Sequence, residues 1–138
     1  MDLNDSISDI LDSDLRFGRS FYSTFFKRYP QVEKYFDGVN LHRQAAVLTM
    51  TLLVIENYRT AQRPAMSTYL RELGARHNEW DVPLEMYDYF RDSLLESLSQ
   101  FHGKDWSDNL NSQWDTAIDC TIREMVKAYE AQPESTPT

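Results

Sequence analysis

Residues 41–58 read Leu41-His-Arg-Gln-Ala-Ala-Val-Leu-Thr-Met-Thr-Leu-Leu-Val-Ile-Glu-Asn-Tyr58, and this stretch decides the fold class. Its richest apolar run, Ala45 to Ile55, is broken by Thr49 and Thr51. A membrane-spanning helix needs about 20 apolar residues, so the run is too short to span and belongs in a protein interior. Apolar residues this dense predict a helix from Leu41 to about Tyr58 that is buried on most sides.

Upstream, Asp37-Gly38 marks a corner and Pro30 to Phe36 a short turn of helix. Before Pro30, Phe17, Phe21, Tyr22, Phe25 and Phe26 keep helical spacing, with Ser13 or Asp14 as N-cap. Leu3, Ile7, Ile10 and Leu11 predict a short first helix.

Downstream, Arg59 to Pro64 is a polar break. Pro64 opens a helix through Met66, Leu70 and Leu73 to about His77 or Trp80. Pro83 opens another through Tyr87, Phe90, Leu94 and Leu98 to His102, with Gly103 at its end. Ser107 caps a last helix along Leu110, Trp114, Ile118, Ile122, Met125 and Tyr129. Gln132 to Thr138, rich in Pro, Ser and Thr, reads as a disordered tail. No period-2 alternation or hairpin signal appears, so the expected fold is all-α, one domain over residues 1–131 followed by the tail.

Composition narrows the function classes. The chain has 138 residues, 41% of them apolar, enough for a core. Fourteen basic against 22 acidic residues give a net charge of −8, which argues against nucleic acid, whose phosphates need a basic patch. An anionic membrane surface is disfavoured on the same ground. With no membrane span and no signal-peptide pattern at the N-terminus, a cytoplasmic protein is expected.

Cys120, the single cysteine, excludes an internal disulfide and a Cys-rich zinc site. It reads as a small buried apolar residue. Four scattered glycines make no phosphate-binding loop, and no nucleophile elbow is present.

The three histidines, His42, His77 and His102, have no ligand partner at helical spacing. Axial ligation of haem iron is a chemistry that needs only one histidine, because the macrocycle supplies four ligands. Three Trp, eight Tyr and seven Phe suit the apolar slot that haem requires. An aromatic-rich bundle that binds another protein remains the alternative on composition alone.

The pattern becomes specific at Phe21-Tyr22-Ser-Thr-Phe-Phe-Lys-Arg-Tyr-Pro30 and Tyr35-Phe36-Asp37. It continues through Leu48-Thr-Met50, Leu73-Gly-Ala-Arg-His77, Val82, Tyr87, Trp106-Ser and Trp114. In order and spacing these resemble the globin family, over about residues 5–130. They are most similar to bacterial single-domain haemoglobins and the globin domain of flavohaemoglobins. The resemblance implies a globin fold of six to eight helices packed around a haem pocket, with haem b (iron protoporphyrin IX) as cofactor.

The resemblance places His77 on the iron, its other ring nitrogen donating to a backbone carbonyl. It places Tyr22 and Gln44 on the gas-binding side, where they would donate to bound O2, with Phe36 wedging the haem and Leu48 over the iron. Leu73, Val82 and Tyr87 fall in the family's cofactor-contacting places. Arg76, with Arg43 or His42, would pair with haem propionates. Gly18 and Ala45 would mark a close helix crossing.

Two alternatives stay open at this point: Tyr22 as a core tyrosine bonded to a backbone carbonyl, and Gln44 as a solvent-facing residue. Gln44 also carries a one-turn ambiguity, because the segment from Phe36 to Gln44 is shorter than in many relatives. His102, at a helix end, is expected to favour a cation. Where related proteins carry a glutamate on the last helix, this chain has Tyr129, with Glu130 turned about 100° away.

The function implied is reversible binding of O2, and of NO and CO, by a monomer or homodimer in oxygen transport. Dioxygenation of NO to nitrate would need an external reductase, since no flavin or NAD domain follows. The alternatives are a gas-sensing module signalling through a partner protein, and a haem-free regulator.

Overall fold

A computed structural model describes residues 1–131; the expected tail, 132–138, lies outside the described residues. Among those described, six α-helices and two short 3-10 helices occur and no strand. The α-helices are α1 (Leu3–Asp12), α2 (Arg16–Arg28), α3 (Leu41–Thr60), α4 (Pro64–Glu79), α5 (Glu85–His102) and α6 (Asp108–Ala131). Pro30–Phe36 and Gly103–Asp105 form the 3-10 turns. None of these helices is long and apolar enough to cross a membrane.

Local chemistry accounts for the ends. Asp2 and Asp5 form a reciprocal capping box on α1. Asn40 accepts from the Arg43 N–H to start α3, and Ser107 accepts from the Leu110 N–H to start α6. The expected cap on α2 is absent. Ser13 instead donates to the Ile10 carbonyl and closes α1, and Asp14 turns to a left-handed φ of 56°. α5 begins at Glu85, two residues beyond Pro83, because the Pro83 and Leu84 carbonyls first accept turn-type bonds from Met86 and Tyr87.

The helices pack in crossed pairs: α2 against α3 and α5, α4 against α6, and α3 against α6. Phe17, Phe21, Leu52, Leu94, Leu98, Trp114 and Ile118 form the centre of the core. Two glycines let backbones meet. A Cβ on Gly18 would lie 2.7 Å from the Ala45 carbonyl oxygen, and one on Gly74 would lie 2.0 Å from that of Met125. The first contact joins α2 to α3 and the second joins α4 to α6.

α3 is less enclosed than its composition suggests. Ala45, Leu48, Leu52, Ile55 and Tyr58 are buried, but Val47 is 50% exposed and Met50 59%. Even so, α1, α2 and α6 all pack against the helix and residues 51–56 are buried or half-buried, so the open part is one stripe through Val47, Met50 and Asn57. Val47 faces an internal cavity that opens beside it.

His102 departs from its expected role. It is 8% exposed, its Nε2 lies 2.6 Å from Ser6 Oγ, and its ring stacks on Trp106. The Trp114 indole N–H donates to the same Ser6 oxygen. Burial lowers the His102 pKa against the pull of Asp9 and Asp105, so the neutral form is favoured, not the cation.

Candidate functional site

A cavity of about 590 Å³ lies between α2, α3, α4, α5 and α6, within the range of roughly 300–1,000 Å³ usual for cofactor and ligand pockets. Its walls are mostly aliphatic and aromatic, including Phe25, Ile55, Met86, Phe90 and Ile118.

Nine of the ten residues singled out from the sequence line this one space: Tyr22, Phe36, Gln44, Leu48, Leu73, Arg76, His77, Val82 and Tyr87. Arg43 does not. It is exposed in the first turn of α3, where its backbone N–H is held by Asn40. His42 beside it is also exposed and outside the lining.

α2 and α3 bring the polar pair together. Tyr22 stands one turn after Gly18, and Gln44 precedes Ala45, so the close crossing sets the distance between their side chains. The Gln44 amide Nε2 donates to Tyr22 Oη at 2.9 Å. This answers both open points of the sequence. The described partner of the Tyr22 hydroxyl is Gln44 rather than a backbone carbonyl, and Gln44 faces inward from the first turn of α3. Burial pushes the Tyr22 pKa up to about 12 against the opposing bond from Gln44, so the phenol keeps its hydrogen. Phe36 packs edge-on at 5.5 Å between centroids.

α4 supplies the histidine. His77 Nδ1 lies 2.8 Å from the Leu73 carbonyl oxygen. A carbonyl can only accept, so Nδ1 carries the hydrogen and Nε2 keeps its lone pair. Burial lowers the His77 pKa, the Leu73 bond opposes this, and the Arg76 charge adds to the lowering. Arg76 is exposed at the rim and forms no ion pair among the described residues.

Behind His77 lies a chain of hydroxyls. Tyr87 Oη donates to Tyr129 Oη at 3.4 Å, and Tyr129 Oη donates to the Val82 carbonyl at 2.8 Å. Glu130 is exposed. Burial raises the Tyr87 pKa, and the contact with Tyr129 raises it further. Sequence reasoning missed Trp80 and Gly74. Trp80 is exposed at the cavity mouth, its ring 5.7 Å from that of His77, and Gly74 is the contact that seats α4 on α6. Gly74 could have been noticed as a glycine standing inside a helix, three residues before the histidine.

The crossed helices enclose an apolar cavity with one imidazole lone pair in its wall, an all-α architecture with room for a small-molecule ligand. The model of the family described as Globin matches residues 19–125, and the chain belongs to that family. Globins are haem proteins that bind small gases.

Two globins of Chironomus thummi thummi are similar in part. Globin CTT-VIII is 35% identical over 68 residues, which is 49% of this chain and 44% of that protein. Globin CTT-II beta is 29% identical over 66 residues, 48% of this chain and 40% of that protein. The matched stretch thus spans under half the length of either relative.

Proposed function

We propose that this chain is a haem b globin that binds O2 reversibly. The observation that carries the proposal is that an imidazole with a free lone pair, His77, and a phenol–amide pair, Tyr22 with Gln44, share one apolar cavity.

The residues present fit iron protoporphyrin IX. The cavity's apolar walls suit the macrocycle, His77 Nε2 suits the iron, and Arg76 at the rim suits an acidic edge group. When bound, haem supplies the centre to which a diatomic gas attaches.

The side chains have separable tasks. His77 presents a neutral nitrogen whose ring is held by the Leu73 carbonyl. Tyr22 accepts from Gln44, which leaves its own hydrogen free to donate into the cavity. A pKa near 12 keeps that donor intact at neutral pH. A gas that gains negative charge on binding benefits from the donor, so O2 gains more from it than the less polarised CO. Leu48 and Phe36 help to exclude water from the same space.

NO and CO are competing ligands in this proposal. Turnover of NO to nitrate would draw an electron from an external reductase, and on this reading the chain and the reductase meet in the cytoplasm. The hydroxyls of Tyr87 and Tyr129 end on a carbonyl and give His77 no anionic partner, which favours reversible binding over oxidative chemistry.

The visible spectrum of the purified protein, reduced with dithionite and then exposed to CO, tests this. An intense haem band that shifts with CO in the native chain, and loses its normal form in His77→Ala, is expected. A protein that stays colourless after haem addition refutes the proposal.

A further inference from the structure

A second hollow, of about 280 Å³, lies where α1, the start of α2 and the end of α5 meet, and it shares no lining residue with the cavity that holds His77. Its size suits a ligand smaller than the usual occupant of pockets of roughly 300–1,000 Å³. Asp9 and Asp12 line it from α1, three residues apart and so on one face, and Asp105 lines it from the second 3-10 turn. Arg16 brings a guanidinium, 4.8 Å from the centre of the Phe101 ring. None of these four charged groups forms an ion pair among the described residues. Three carboxylates against one guanidinium leave the hollow with an excess of negative charge.

His102 lines the same hollow although it is only 8% exposed. Its described hydrogen bond uses Nε2, against Ser6 Oγ. Nδ1 has no partner among the described residues, yet it is not one of the fully enclosed polar atoms without a partner, which are Arg59 Nε, Arg91 Nε, Ser93 Oγ and Ser97 Oγ. Nδ1 therefore reaches the surface of the hollow. Ser6 Oγ has two lone pairs, enough to accept from both the Trp114 indole and a His102 Nε2–H, and Nδ1 then presents a lone pair. The charges of Asp9 and Asp105 both act on this ring.

The two observations ask for the same chemistry. An ammonium group has three donors and no acceptor, so it satisfies Nδ1 and a carboxylate together. An anion would meet the carboxylates. Among the described residues no group of His, Cys, Asp and Glu is arranged to hold a metal ion, so hydrogen-bond donors match the charge better than a bare cation does.

We propose that this hollow binds a small organic dication, a diamine with two primary ammonium groups a few carbons apart. One ammonium donates to His102 Nδ1 and to Asp9 or Asp105, the other to Asp12, and the Phe101 ring gives the alkyl chain an apolar surface. Arg16 opposes the ligand's charge and limits its affinity. The site stands apart from His77 and does not depend on haem.

The test is a titration of the native chain with 1,4-diaminobutane near neutral pH at constant ionic strength, followed by NMR of the His102 ring and of the Trp106 and Trp114 indoles. Trp106 stacks on His102, and Trp114 shares the Ser6 oxygen with it. Shifts that saturate are expected, with 1-aminobutane binding about fivefold more weakly, the scale of one lost exposed ion pair. Asp105→Asn, at an exposed position, weakens the diamine by about two- to fivefold, and Arg16→Gln tightens it by a similar factor. Shifts that never saturate, or that sodium chloride of equal ionic strength reproduces, overturn the proposal and leave diffuse attraction to an acidic surface. Unmoved His102 resonances overturn it too. Weaker binding in Arg16→Gln overturns the dication, because it means that the guanidinium holds a carboxylate of a zwitterion.

Discussion

Gly18→Ala tests how the α2–α3 crossing controls the Tyr22–Gln44 side of the cavity, the side proposed to hold the gas. An added Cβ would lie 2.7 Å from the Ala45 carbonyl oxygen, 2.9 Å from its Cβ and 3.0 Å from its Cα. Comfortable contact begins near 3.5 Å, so the helices must part by about 0.5–0.8 Å. Overpacking costs about 1–3 kcal/mol, and the better helix propensity of Ala returns about 1 kcal/mol. The net loss of stability is then about 0–2 kcal/mol, and the protein still folds. The larger consequence is local. Tyr22 and Gln44 sit beside this contact and share a bond of 2.9 Å, and parting the helices carries that distance past the 3.2 Å limit of good N–H···O geometry. Losing about 1 kcal/mol of hydrogen bonding corresponds to O2 leaving about fivefold faster. The assay is stopped-flow displacement of O2 by CO, with CO dissociation as the control that changes little. A variant with a lowered melting temperature but an unchanged O2 rate would refute the link between crossing distance and gas retention.

Three further outcomes are expected. Tyr22→Phe removes the donor itself, so O2 dissociation rises by about ten- to a hundredfold, the scale of a bond to a charged partner, while CO dissociation moves far less. Gly74→Ala puts a Cβ 2.0 Å from a backbone oxygen of α6, and its cost, about 3 kcal/mol or more, appears as a large drop in the urea midpoint and weakened haem retention. Stability falls with acid because the buried His102 binds its proton less readily folded than unfolded. The unfolded chain takes up more protons as pH drops through the ordinary histidine value near 6.5, and stability goes with them. Urea midpoints at pH 7.5 and 5.5 check this, and His102→Gln flattens the profile.

Much of the helix order was legible because prolines and apolar spacing are local signals. Pro64, the Pro30 turn and the stripe from Leu110 to Tyr129 fall where they were expected. Illegible features depended on partners distant in sequence. Nothing near Ser13 announces that it closes α1 instead of capping α2. The burial of His102 depends on Ser6 and Trp114, 96 residues upstream and 12 downstream, meeting at one point. The open stripe of α3 through Val47 and Met50 was not legible, because composition records how many apolar residues a helix carries and not which of them stay uncovered. Gly74 was passed over because the residue it touches, Met125, lies on the last helix.

The two sides of the candidate site differ in the same way. On the Tyr22 side, one close crossing places two residues that stand four and one positions from it, so sequence spacing nearly determines the contact. On the His77 side, a bond to a backbone carbonyl was expected, and the Leu73 carbonyl that takes it is local, one turn along the same helix. The support behind it is not local. It runs from Tyr87 to Tyr129 to Val82 and back to the His77 carbonyl, across three helices and a turn. A substitution at Tyr129 reads as peripheral in sequence, 52 positions beyond the histidine. Yet the hydrogen bonds connect it to the backbone of that histidine through a single residue. Tyr129 is therefore a position where sequence distance and physical coupling disagree, and where a conservative change is informative.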